Sequence, residues 1–188
     1  KQARAAKAAE MYGHVLENWP DAEHALWSQM GLAVASIRLR QDAAATEAVE
    51  TLKIGFSNEA EISSAICQVG DEYRKIGKHQ KACELYQHIL AEYPNSGHAF
   101  WAQTNTAISM IALSDETGTA EAVERVMDYV DKSDDRMPFA IRTIADAYGK
   151  AQKYEDACEL YEYVVDEYAN TKDAMWAQMN LAMTGERL

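Results

Sequence analysis

The sequence predicts an all-α fold, a helical solenoid of antiparallel helix pairs with about ten helices. Three observations predict it. Apolar residues recur at helical spacing along the chain, as in Ile66, Val69, Gly70 and Tyr73 or in Ile141, Ile144, Ala145 and Tyr148. A 25-residue stretch occurs three times without a gap, from Lys7, Lys81 and Asp156, at spacings of 74 and 75 residues. Its second and third copies agree at 13 of 25 positions, including Tyr86/Tyr161, Tyr93/Tyr168 and Trp101/Trp176. Turn formers are scarce: 3 Pro and 9 Gly in 188 residues are too few for a sandwich or barrel.

A period near 75 residues is long for one supersecondary unit, and it resolves into two hairpins. The runs ending at Tyr73 and Tyr148 are each followed by a short break, Ile76-Gly77-Lys78 or Ala151-Gln152-Lys153. Second runs follow, Ala82-Leu85-Tyr86-Ile89 and Ala157-Leu160-Tyr161-Val164. Pro94 closes one hairpin, and Pro20-Asp21 marks the corresponding stop and restart near the N-terminus. Such a helical pair buries only one face within itself, so neighbours must stack to complete a core. Small residues at Gly70, Ala82, Ala145 and Ala157 allow close helix approach, and aromatics along the same helices fill the space beside them. Trp27, Trp101 and Trp176 recur in register and are expected in the core.

These positions resemble the tetratricopeptide repeat. The family places Trp/Leu, Leu, Gly/Ala and Tyr on its first helix (helix A), then Ala, an aromatic, a small or aliphatic residue and Pro on its second (helix B). A repeat counted from Ser63 supplies Ile66, Val69, Gly70, Tyr73, Ala82, Tyr86, Ile89 and Pro94. One counted from Pro138 supplies Ile141, Ile144, Ala145, Tyr148, Ala157, Tyr161 and Val164, with Ala169 replacing the Pro. Counting from His24 and His98 gives Trp27, Met30, Gly31, Val34 and Trp101, Thr104, Asn105, Ile108, with the helix-B residues Ala48 and Ala122 about five positions late. A longer helix A or inner loop is therefore expected there, with long and short repeats alternating. The resemblance implies a right-handed superhelix forming a single domain over 1–188: partial repeat 1–23, repeats 24–62, 63–97, 98–137 and 138–172, and partial repeat 173–188. The stretch from Tyr93 to Gln103 is also similar to repeats of bacterial envelope proteins. The chain opens without an initiator Met and stops at Leu188 inside a helical pattern, so it is read as a segment of a longer protein.

Composition excludes several function classes. Eighteen Lys+Arg against thirty Asp+Glu give a net charge of -12, unfavourable toward a nucleic-acid backbone or an anionic membrane surface. The longest largely apolar stretch, Gly31 to Ile37, is far below the roughly 20 residues of a membrane span. His14/His88 and His24/His98 are repeat equivalents displaced along the solenoid, so no metal site and no cofactor are expected. Cys83 and Cys158 take a place that Ala9 holds in the first copy, which marks them as small and buried rather than bridged. Unpaired thiols favour a reducing, cytoplasmic compartment over a periplasmic one. The acidic runs, among them Asp131 to Asp135, read as solvated helix surface. Asn105 and Asn180, which face a partner helix, are expected to hydrogen-bond to it.

The resemblance implies that helix A lines a concave groove. Carried over residue by residue, its ligand-facing positions are Ser64, Asp71, Arg74 and Lys75 in one repeat, with Cys67 among them. In the other they are Phe139, Arg142, Asp146 and Lys150. The grip that related repeats place on chaperone tails needs Lys and Asn where this chain has Cys67/Asp71 and Arg142/Asp146, so that partner is disfavoured. The expected role is a non-enzymatic scaffold for a protein or peptide held in the groove. The alternatives are self-association through terminal helices, where Trp176, Met179 and Met183 lie on a helix A without its helix B, or a regulatory arm of a larger enzyme.

Overall fold

The computed structural model describes residues 2–128 and 133–188, which form ten helices and no strand among them. They are α1 (Gln2–Asn18), α2 (Ala25–Arg38), α3 (Asp42–Gly55), α4 (Ile62–Lys75), α5 (His79–Glu92), α6 (Ala99–Leu113), α7 (Glu116–Met127), α8 (Met137–Lys150), α9 (Tyr154–Glu167) and α10 (Lys172–Gly185). The chain divides into two units, Lys1–Ala102 and Gln103–Leu188, the division falling inside α6. Of the acidic runs noted above, Asp131 lies outside the described residues.

The hairpin turns are built alike. Arg40, Gly77, Ser114 and Gln152 stand just past the end of a helix A with φ of 61°, 79°, 57° and 62°. In each case the next amide reaches back five residues: Gln41 N donates to Ser36 O at 3.0 Å, Lys78 N to Tyr73 O at 2.9 Å, Asp115 N to Met110 O at 3.2 Å and Lys153 N to Tyr148 O at 3.0 Å. That is a Schellman closure, which satisfies carbonyls the helix end would otherwise leave open. Gly77 adopts the left-handed conformation freely, whereas a side chain there costs about 1 kcal/mol.

The loops from helix B to the next helix A repeat as well. Ala22 N donates to Trp19 O, Glu59 N to Phe56 O and Ser96 N to Tyr93 O, at 3.2, 3.0 and 3.0 Å. Ala25, Ile62 and Ala99 then begin α2, α4 and α6, spaced 37 residues apart. This corrects the register expected for the repeat from His24. Hairpins α2–α3 and α4–α5 have the same design, two 14-residue helices joined by three residues, with no longer helix A or inner loop. Shifting by 37 pairs Gly70 with Ala33 and Ala82 with Ala45, both buried to within 1%. The late Ala48 follows from taking Trp27 and Gly31 as anchors. Gly31 holds a different place, facing Tyr12 of the preceding helix.

In the first unit, α4 lies against both α5 and α2, and its apolar side is closed by Ile62, Ile66, Val69 and Tyr73. A Cβ on Gly70 would stand 2.7 Å from the Tyr86 ring, so no larger residue fits without moving that ring. Tyr86 and Ile89 are fully buried, and each such side chain contributes roughly 1.5–3 kcal/mol by leaving water. In the second unit α8 packs on α9 with Met137, Ile141, Ile144 and Val164 sealed inside, and Ala145 takes the small-residue place beside Tyr161. Asp115 and Thr171 cap α7 and α10, accepting from Gly118 N at 2.9 Å and Ala174 N at 3.1 Å. Trp27 is partly buried against the first core, but Trp176 is 48% exposed. Trp176, expected in the core, is thus half exposed among the described residues.

The turn geometry makes a test. Arg40→Gly and Gln152→Gly should each raise stability by about 1 kcal/mol, and Gly77→Ala should lower it by a similar amount, measured by urea denaturation. Equal midpoints for Gln152→Gly and the parent chain would contradict the strain assigned to that turn.

Candidate functional site

A cavity of about 630 Å³ opens in the first unit between α1, α2 and α4. Small and aliphatic residues such as Ala8, Gly31 and Val34 form its floor, and Tyr12 forms part of its wall. The Tyr12 ring rests on Gly31, where a Cβ would lie 2.5 Å from it. Arg4, Arg38 and Lys75 surround this floor together with Asp71 and Glu72.

The two acids are already engaged. Arg38 donates from Nε and Nη2 to the two oxygens of Glu72 at 2.8 and 2.9 Å, tying α2 to α4. That guanidinium holds the Glu72 carboxyl below the usual carboxylate range, and Glu72 raises the pKa of Arg38 in turn. Lys75 approaches Glu72 at 3.7 Å. Asp71 accepts the Tyr86 hydroxyl at 2.8 Å and pairs with Arg74 at 3.6 Å. Burial, then the neighbouring Asp71 charge, pushes the Tyr86 phenol up, so it stays a neutral donor. The cations remain reachable: the Arg38 and Lys75 side chains are 56% and 63% exposed.

Of the groove residues inferred from the sequence, Asp71 and Lys75 therefore line the cavity. Ser64 lies one turn before the lining residue Gln68, whose amide reaches its hydroxyl at 3.5 Å. Arg74 is not in the lining. Its Nε is buried without an acceptor among the described residues, and its charge helps depress the pKa of His79 on α5. Tyr12, Arg38 and Arg4, which the sequence reading missed, matter more; the 37-residue register would have placed Arg38 at a helix-A end.

The second unit holds Phe139, Arg142, Asp146 and Lys150 on α8. Arg142 donates from Nε to Asp173 of α10 at 2.7 Å and from Nη1 to Asp146 at 2.9 Å, and its guanidinium lies 5.2 Å from the Phe139 ring centre. Asp146 also accepts from the Tyr161 hydroxyl at 2.7 Å and from the Asn180 amide at 2.9 Å. The Asn180 bond to a neighbouring helix is the one expected from its place in the sequence. Arg142 is only 15% exposed and knits α8 to α10, while Phe139 and Lys150 face solvent.

Burial and the charge of Asp71 push the Cys67 thiol up to about 12, far from a reactive thiolate. No three His, Cys, Asp or Glu groups converge on a metal-sized point among the described residues. The repeated His position has a packing explanation: His14 meets Trp19, His88 meets Tyr93 and Tyr163 meets Tyr168 edge to face at 5.9, 6.0 and 6.3 Å.

Two measurements check this geometry. Arg142→Ala leaves two part-buried carboxylates without their cation and should cost about 1–3 kcal/mol in denaturant unfolding. Acid should weaken the first unit in two stages. Burial depresses the pKa of His79 and His88 below 6.5, so the unfolded chain takes up protons first and stability falls as pH drops through that value. Glu72, depressed below 4.5, adds a second loss beneath that pH. The His79→Gln, His88→Gln double variant should flatten the melting-temperature decline between about pH 7.5 and 5.5.

Residues 68–96 and 141–171 match the family model of the tetratricopeptide repeat. They fall on the α4–α5 and α8–α9 hairpins. Among solved structures, a tetratricopeptide repeat protein from Parabacteroides merdae is similar over 97% of this chain and 67% of its own, with a TM-score of 0.60 and 14% identity. No protein of curated function matches the chain. Such repeats generally mediate protein–protein interaction. Two hairpins of the chain thus match tetratricopeptide repeats, and its fold is similar to that of a protein of that kind.

Proposed function

We propose that the chain is a non-catalytic interaction module and that the cavity between α1, α2 and α4 captures an extended, acidic segment of a partner protein. The carrying observation is the contrast between that cavity and the rest of the molecule. The chain has a net charge of -12, yet Arg4, Arg38 and Lys75 gather around one hollow while Asp71 and Glu72 are taken up by internal partners. A partner carboxylate reaching the exposed edges of Arg38 and Lys75 gains charge-assisted hydrogen bonds. The floor of Ala8, Gly31 and Val34 accepts small apolar side chains, and Tyr12 offers a ring to pack against. Ser64 and Arg74 contribute at the margins of this site. Phe139, Arg142, Asp146 and Lys150 form a second contact region, in which Phe139 and Lys150 meet the partner and Arg142 and Asp146 hold the surface in shape.

Panning a random peptide-display library on the whole chain tests the reading. Recovered peptides should be enriched in Asp and Glu and should bind the Arg4→Glu, Lys75→Glu double variant at least about tenfold more weakly, a loss of roughly 1.4 kcal/mol. Circular dichroism and melting should not change, because both side chains are exposed. Peptides without acidic bias, or binding indifferent to the charge reversal, would remove the cavity from the account.

A further inference from the structure

Another side of α2 floors a groove of different character. About 340 Å³ of space lies between α1 and α3, with Leu32 and Ser36 of α2 beneath it. From α1 come Gly13, Leu16 and Glu17, and from α3 come Glu47 and Ala48. All three helices belong to the first unit. The α1 wall is not the side on which a hairpin partner packs. At a spacing of 74 it corresponds to Gln87, Leu90 and Ala91 of α5, which stay exposed or half-buried with α4 packed on that helix.

Three features of the groove have no use inside the chain. Glu17 and Glu47, one on each wall, are exposed, and neither has a cation or hydrogen-bond donor among the described residues. Ser36 is 2% exposed, yet its hydroxyl also lacks a partner there. A polar group shut away from bulk water costs on the order of 1–3 kcal/mol unless something bonds it. Gly13 stands mid-helix, where glycine costs roughly 0.5–1 kcal/mol relative to Ala. Gly31 and Gly70 each make room for a ring, but a Cβ on Gly13 would meet nothing within 4 Å. Its repeat equivalents, Gln87 and Glu162, carry long side chains. Glycine keeps this wall low and the groove open.

We propose that the groove binds a basic segment of a partner protein, through one large apolar side chain (Leu, Met or Phe) flanked by Lys or Arg. The anchor enters over Leu16, Leu32 and Ala48. Ligand pockets run from roughly 300 to 1,000 Å³, so this small one suits an anchor and its backbone rather than a long stretch. The flanking cations meet Glu17 on one side and Glu47 on the other, and a polar group beside the anchor bonds Ser36. The charge demanded is opposite to that of the α1–α2–α4 cavity, so the two sites select different segments.

Panning a random peptide-display library on the Arg4→Glu, Lys75→Glu chain, in which two of the cavity's cations are reversed, tests the groove by itself. Recovered peptides should carry Lys or Arg on both sides of a large apolar residue. Adding Glu17→Lys and Glu47→Lys to that chain should weaken their binding at least about tenfold. The same charge change at Glu159 and Glu162, both exposed on α9, should leave binding within about twofold, because distant surface charges are screened. Gly13→Gln is the sharper variant. It should raise the melting temperature, since Gln favours helix, and still weaken binding at least about fivefold by filling the wall. A library that yields no binder, or binders without basic bias, would overturn the proposal. So would basic peptides that lose as much affinity from the α9 reversal, the mark of general attraction to an acidic chain. Equal binding with and without Gly13→Gln would overturn it too.

Discussion

Helix A must leave room for an aromatic ring from helix B, and the rest of the hairpin follows from that. Gly70 makes the room for Tyr86, and Ala145, fully buried, holds the equivalent place in the hairpin of Tyr161. Each ring is held from its far end, since the hydroxyls donate to Asp71 and Asp146. One residue on helix A thus sets the distance between helices, and the next anchors the ring that fills it. Sliding either helix by a turn would lose the fit and strand a buried phenol, costing on the order of 1–3 kcal/mol from the hydrogen bond alone. Tyr12 has a different setting: its ring lies on Gly31 and borders the open cavity.

Successive A helices are tied by charge in both units, at different places and with different consequences. Arg38 and Glu72 join the last turn of α2 to a late turn of α4, leaving the outer edge of the guanidinium in water. Arg142 and Asp173 join the second turn of α8 to the first turn of α10, with the guanidinium largely enclosed. A pair whose cation keeps one edge in water leaves that cation available to a ligand; an enclosed one is costly to break and offers little to a visitor. The same residue type is thus suited to recognition in one unit and to architecture in the other.

The helical class and the hairpins around Gly77 and Gln152 were legible in the sequence, because apolar spacing and a repeated turn point the same way there. The register of α2 and α3 was not. Trp27 and Gly31 resemble family positions, but Gly31 is shaped by a ring from the preceding helix and not by its own hairpin partner. The aromatic set Trp19, Phe56 and Tyr93, spaced 37 residues apart in front of each helix A, carried the correct period. The charge pattern was harder still. The sequence marks Arg74 and Arg142 alike and passes over Arg38, and only three-dimensional contacts reveal that Glu72 leaves Arg38 exposed while Asp146 and Asp173 enclose Arg142.

The cysteines, unremarked as chemistry, have a use as witnesses. Cys67 and Cys83 are buried in the first unit and Cys158 in the second, and no disulfide joins them to each other. An alkylating reagent attacks only a thiolate that water can reach, so each sulfur stays silent until the packing around it opens. The native chain therefore carries separate clocks for the two units: the order in which these sulfurs take up label records which one breathes first.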